Sequence, residues 1–152
     1  MRAAMPAAPT WILESKLARP AAPAGWVRPA LLAAGALPPA LLLSAGPGYG
    51  KTRALAAIAT QEADAGAIVA WVGFDEGDAD ATTALHYMLA ALRVSLPDFG
   101  AELEASFAEE DPRGPWTKLV RALAAYGAPV LLAFDDAHHL DPALLKALLG
   151  GL

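Results

Sequence analysis

Along this chain, short continuous apolar runs alternate with stretches where apolar residues recur every three or four positions. "PPALLLSAG" is an unbroken apolar run closed by Gly46, the pattern of a parallel strand buried on both faces. Residues 51–65 then read as a helix, with Leu55, Ile58 and Ala59 on one side. "AIVAWVGF" is a second strand, rich in β-branched and aromatic residues. Beyond it, Leu85, Met88, Leu89 and Leu92 fall at i, i+3, i+4 and i+7, a helical stripe facing a core that Pro97 terminates. Residues 115–126 repeat that spacing with Trp116, Leu119, Val120 and Leu123, and Pro115 suits a first helical turn. "APVLLAFDD" is a third strand, and "DPALLKALLGG" opens a helix with Asp141 as N-cap. A short helix is expected over 29–37, after the loop "PAAPAG", and "DFGAELEASFAEEDPRG" is a polar connector. Strand and helix alternate three times, which implies an α/β domain whose parallel sheet is covered on both faces.

Composition narrows the function classes. With 152 residues, 56% of them hydrophobic and 18% charged, the chain can bury a sizeable core. Only the Ala/Pro-rich start, residues 1–14, is expected to be disordered. The net charge of −5 offers no general attraction to nucleic acid or acidic membranes. The absence of cysteine removes disulfides, thiolate nucleophiles and Cys-based metal sites. The longest apolar run, residues 30–45, is broken by Pro38 and Pro39 and is too short to span a membrane. Glu14 and Lys16 interrupt what would be the apolar part of a signal peptide, so the cytoplasm is the expected location.

Chemistry concentrates in "SAGPGYGKT", Ser44 to Thr52. A triphosphate needs several backbone N–H groups turned inward, so its loop must curl tightly, and Gly46, Gly48 and Gly50 permit that. Pro47 and Tyr49 complete the loop. A helix starting directly afterwards aims its N-terminus and dipole at the anion. Lys51 is placed to bridge the β- and γ-phosphates, and Thr52 to set its hydroxyl on Mg²⁺. Ala45 stands where the strict motif has its first Gly. That position lies where the strand ends, and a methyl group there is a small steric demand.

A second strand must end in an acid beside such a loop, and "VLLAFDD" ends in two. Asp135 is the candidate for holding Mg²⁺, directly or through water. Asp136 is the candidate for orienting or deprotonating an attacking water. The bland alternative is an ordinary strand-to-helix loop with Asp as a cap. His138 is a candidate hydrogen-bonding group near the γ-phosphate. His138 and His139 are adjacent, cannot readily both face one ion, and have no further ligand motif. His86 lies off its helix's apolar stripe and reads as solvated. "FDEGDAD" lacks the Gly and Glu spacing of a calcium loop and reads as an acidic, solvated loop that caps the next helix.

Taken in order, "ESKLARP", "VRPALL", "SAGPGYGKT", "AWVGFDEGD" and "LLAFDDAHHL" resemble the MalT-like, LuxR-type large ATP-dependent transcriptional regulators, signal-transduction ATPases of the STAND class. The resemblance covers residues 15–140. It implies a P-loop NTPase three-layer sandwich, with 15–39 leading into the site and 40–152 forming part of the domain. It implies ATP and Mg²⁺ as ligands, Gly46 to Thr52 at the phosphates and Asp135 and Asp136 as the Walker B pair. Val27 and Arg28 would lie on the adenine side. His138 matches the His of the family's "DDYH", whereas Ala137 departs from its Tyr.

In that family a later strand, with a sensor Arg, inserts between the loop strand and the Walker B strand. The sheet of this chain is therefore expected to be incomplete, with slow ATP hydrolysis in a complete protein and none in the fragment alone. Contact with DNA would come only through a C-terminal domain absent here, and ATP binding would favour self-association. A P-loop phosphotransferase is the first rival, disfavoured by the few Arg and Lys between the motifs. A degenerate, non-catalytic interaction fragment is the second.

Overall fold

The computed structural model describes residues 9–27, 37–107 and 113–150. Its sheet has two parallel strands, β1 (Ile68–Gly73) and β2 (Val130–Asp135), in register from Ile68 opposite Val130 to Gly73 opposite Asp135. The helices are α1 (Glu14–Leu17), α2 (Lys51–Asp64), α3 (Ala81–Ser95), α4 (Arg113–Tyr126) and α5 (Pro142–Gly150). The helix expected over 29–37 falls almost wholly outside the described residues.

Strand pleating sorts the side chains into two cores. Trp71 and Ala133 meet Ala56 and Ala59 of α2 on one face of the sheet. Ala70, Val72 and Phe74 meet the α3 stripe, Trp116 and Leu119 of α4, and Leu144 and Leu148 of α5 in the larger core. The stripe read from the sequence is fully inside: Leu85, Met88, Leu89 and Leu92 are each at most 1% exposed. Burying four such side chains favours folding by roughly 1.5–3 kcal/mol each before conformational entropy is counted.

Caps lie where the sequence puts them. Asp80 accepts the Thr83 N–H at the start of α3, and Asp141 accepts the N–H groups of Ala143 and Leu144 in α5. After α3 the chain turns at Gly100 (φ +63°), where a Cβ would fall 2.7 Å from Leu103 and 3.0 Å from Leu89. Arg93 braces this turn through the Phe99 and Gly100 carbonyls and the Glu104 carboxylate.

The strand expected in "PPALLLSAG" does not form. Residues 40–46 have no regular secondary structure, and Leu42 is 72% exposed. A strand exists only through a ladder with a neighbour, and the two described strands pair with each other. Apolar sequence alone does not supply that partner.

The amino-terminal segment also differs from expectation. Within the stretch read as disordered, Ile12 packs on the larger core, and Trp11 meets the rings of His86 and Tyr87 edge-on. These contacts hold Trp11 and Ile12 against the larger core, although Trp11 stays 45% exposed.

Candidate functional site: the glycine loop and the carboxylate strand end

Both strands run in the same direction, so the loops after β1 and β2 emerge at one edge of the sheet. The glycine loop, Gly46 to Gly50, leads to α2 beside that edge. Gly48 (φ +79°) and Gly50 (φ +75°) occupy the left-handed region, where glycine has no Cβ penalty. At Gly46 a Cβ would sit 3.3 Å from the ring of the exposed Tyr49, a contact that a small shift of that ring relieves. Gly50 is the N-cap of α2, and its carbonyl accepts the Ala54 N–H at 2.9 Å. The free N–H groups of the first turn thus face the loop.

Lys51 folds back over this loop. Its Nζ donates to the Ala45 carbonyl at 2.8 Å and to the Gly46 carbonyl at 3.0 Å. Thr52 Oγ1 donates to Asp135 Oδ1 at 3.0 Å, across 83 positions of sequence. Asp136 is the sole non-glycine with positive φ among the described residues, at φ +51°. His138 Nδ1 lies 3.8 Å from Asp136 Oδ1, with both groups open to solvent. A cleft of about 350 Å³ is lined by Pro47, Gly48, Gly50, Lys51, Thr52, Arg53 and Asp136. Arg53 was missed in the sequence reading, although its position in the first turn of α2 was the available signal.

The other candidates are less central. Asp135 adjoins the cleft through Thr52. Tyr49 is 81% exposed at the loop tip, Val27 is 82% exposed and does not line the cleft, and Arg28 lies outside the described residues. His139 stacks on His138 at 4.1 Å between ring centroids. Among the described residues no group of three or more His, Cys, Asp or Glu is arranged to hold a metal, and no helix is long and apolar enough to cross a membrane.

Two expectations about solvated residues are overturned. Asp78 of "DEGD" is 2% exposed, because Lys16 of "ESKL" reaches it at 2.6 Å and Asp75 at 2.9 Å. The Lys16 ammonium also lies 5.0 Å above the centre of the Tyr87 ring. Burial alone would lower the Lys16 pKa, but its bonds to Asp78 and Asp75 outweigh this and hold it above the ordinary lysine value. The same Lys16 bond, with the Gly77 N–H, holds the Asp75 carboxyl below the ordinary range. His86 is half-buried between Trp11 and Phe107, and burial lowers its pKa.

The donors fit a phosphate chain and its cation: a curled loop with two left-handed glycines, a helix N-terminus, an ammonium, and a hydroxyl bonded to a carboxylate. This is the architecture of a phosphate-binding loop. The model of the AAA ATPase domain family matches residues 30–152, and the chain belongs to that family. It is a P-loop protein of the AAA type, a family whose members bind nucleotide, usually with Mg²⁺. No curated protein and no solved structure matches the chain.

Proposed function

We propose that this chain is the ATP-binding part of a MalT-like, LuxR-type regulator of the STAND class, a switch whose nucleotide state controls self-association. The observation that carries the reading is the Thr52–Asp135 hydrogen bond, which joins the end of the glycine loop to the acid-tipped strand. Membership of the AAA ATPase domain family and the ordered motifs from "ESKL" to "DDAHH" support it.

In this reading the N–H groups of Gly46 to Thr52 hold the phosphates, and Lys51 exchanges its carbonyl partners for phosphate oxygens. Thr52 and Asp135 hold Mg²⁺, which when bound neutralises charge developing on the phosphates. Asp136 orients the attacking water and accepts its proton, and His138 hydrogen-bonds near the γ-phosphate. Val27 and Arg28 serve the adenine side. The complete domain is a cytoplasmic three-layer sandwich, with residues 15–39 leading into the site, 40–152 contributing part of it, and DNA contacts made by a separate domain.

Calorimetric titration with ATP, with and without Mg²⁺, tests the assignment. Lys51→Ala is expected to weaken binding at least about tenfold, the loss of one charge-assisted contact. Thr52→Val is expected to weaken binding only when Mg²⁺ is present. Unchanged affinity in Lys51→Ala overturns the phosphate-loop assignment.

A further inference from the structure

We propose that residues 9–19 form a pH-sensitive strap, whose leading end stays docked on α3 only while His86 is neutral. Two anchors hold this segment. The trailing anchor is ionic: Lys16 with Asp75 and Asp78, helped by Arg19, whose Nη1 donates to the Ala59 carbonyl at 2.9 Å. The leading anchor is aromatic. Trp11 meets the His86 ring at 5.5 Å and the Tyr87 ring at 5.7 Å, both edge-on, while the Leu13 N–H approaches the Tyr87 hydroxyl at 3.3 Å.

On its other side His86 meets Phe107 at 5.1 Å. Its Nδ1 is buried with no hydrogen-bond partner. A second ring proton at that atom would therefore point into the slot with nothing to receive it. The charged groups near the ring do not supply one. Glu104 and Asp80 favour the imidazolium and Arg93 opposes it, but burial outweighs them. Arg93 and Glu104 are bonded to each other at 2.6 Å, and Asp80 is engaged by the Thr83 N–H. From the strap, Trp11 brings no charge and Lys16 is committed to its two carboxylates.

The sign follows by linkage. Burial lowers the His86 pKa while the strap is docked, so the undocked state binds the proton more readily. Docking is complete above the ordinary histidine range and weakens as pH falls through it. Of the ionic anchor, Asp75 is shifted down and Lys16 up, so neither of these two groups changes charge in that window. Acidification thus lifts the Trp11 end and leaves the Lys16 end in place.

Amide exchange of the whole 152-residue protein, followed by NMR at pH 7.5 and 5.5 and corrected for intrinsic rates, tests this. At pH 5.5 the protection of Ile12 and Leu13 is expected to fall at least about threefold, with Met88 and Leu89 unchanged. In His86→Phe, which keeps an apolar ring in the slot, that pH dependence is expected to vanish. Equal protection at both pH values in the parent protein overturns the proposal, as does the same fall in His86→Phe. Should His86→Phe fail to fold, the imidazole titration of His86 decides. A pKa nearer the ordinary value in Trp11→Ala than in the parent supports the strap, and equal values refute it.

Discussion

Replacing Lys16 by Met tests how much the ion triad holds. Methionine retains most of the aliphatic stem but removes the ammonium from a carboxylate that is 2% exposed. Asp78 then keeps one documented partner, the Asp75 N–H at 2.9 Å. Breaking a fully buried pair from one side costs about 3–5 kcal/mol. Here the Lys16 side chain is 13% exposed and Asp78 keeps a backbone donor, which reduces the expected loss to about 2–4 kcal/mol. Asp75 is largely exposed and adds little. The loss is capped by the docking free energy of residues 9–19, since Asp78 regains water once they lift. Urea denaturation followed by circular dichroism gives the single changes Lys16→Met and Asp78→Asn and the double change. The double variant should be more stable than the sum of the singles implies, by at least about 1.5 kcal/mol, because no lone buried charge remains. A Lys16→Met loss below about 1 kcal/mol, or strict additivity, would refute the reasoning.

Three further outcomes are expected. Gly100→Ala should lower stability by about 2–4 kcal/mol in the same denaturation assay, combining left-handed backbone strain with a collision against Leu103 and Leu89. Asp136→Gly should leave stability unchanged or raise it by about 0.5 kcal/mol, since φ +51° suits glycine, while abolishing whatever ATP hydrolysis the complete protein shows. The Lys16 contribution should be fully present below the ordinary lysine value and be lost as pH rises through the raised Lys16 pKa, while the small Asp75 contribution is lost as pH falls below the ordinary Asp value through the lowered Asp75 pKa. Amide protection at Lys16, whose N–H bonds the Leu13 carbonyl, reports both limits.

Local signals carried much of this molecule. Strands β1 and β2, the stripe of α3, the caps Asp80 and Asp141, and the meeting of Thr52 with Asp135 follow from periodicity, cap chemistry and a motif whose spacing encodes geometry. What escaped was decided by distant partners. Residues 40–46 have strand-like sequence but no ladder, and ladders are tertiary. Asp78 looked solvated because its neighbours in sequence are polar, yet it is neutralised from 62 residues away. His86 looked exposed for its place on a helical wheel, which cannot anticipate Trp11 and Phe107 arriving from either side. The motifs "ESKL" and "DEGD", read as separate signatures, are two halves of one contact.

The common direction of β1 and β2 gives the molecule a crowded end and a quiet one. At the crowded end stand the glycine loop, both acidic loops and Lys16, which crosses to the first of them. At the other, the chain enters each strand through an exposed turn at Gly66 (φ +96°) or Gly127 (φ +77°), a backbone conformation that strains any side chain placed there. Those two turns are therefore places to insert a peptide tag or open new termini with the glycine kept, rather than to replace it. The same insertions after Phe74 or Asp135 would part residues whose partnership depends on the two strands stopping level with each other.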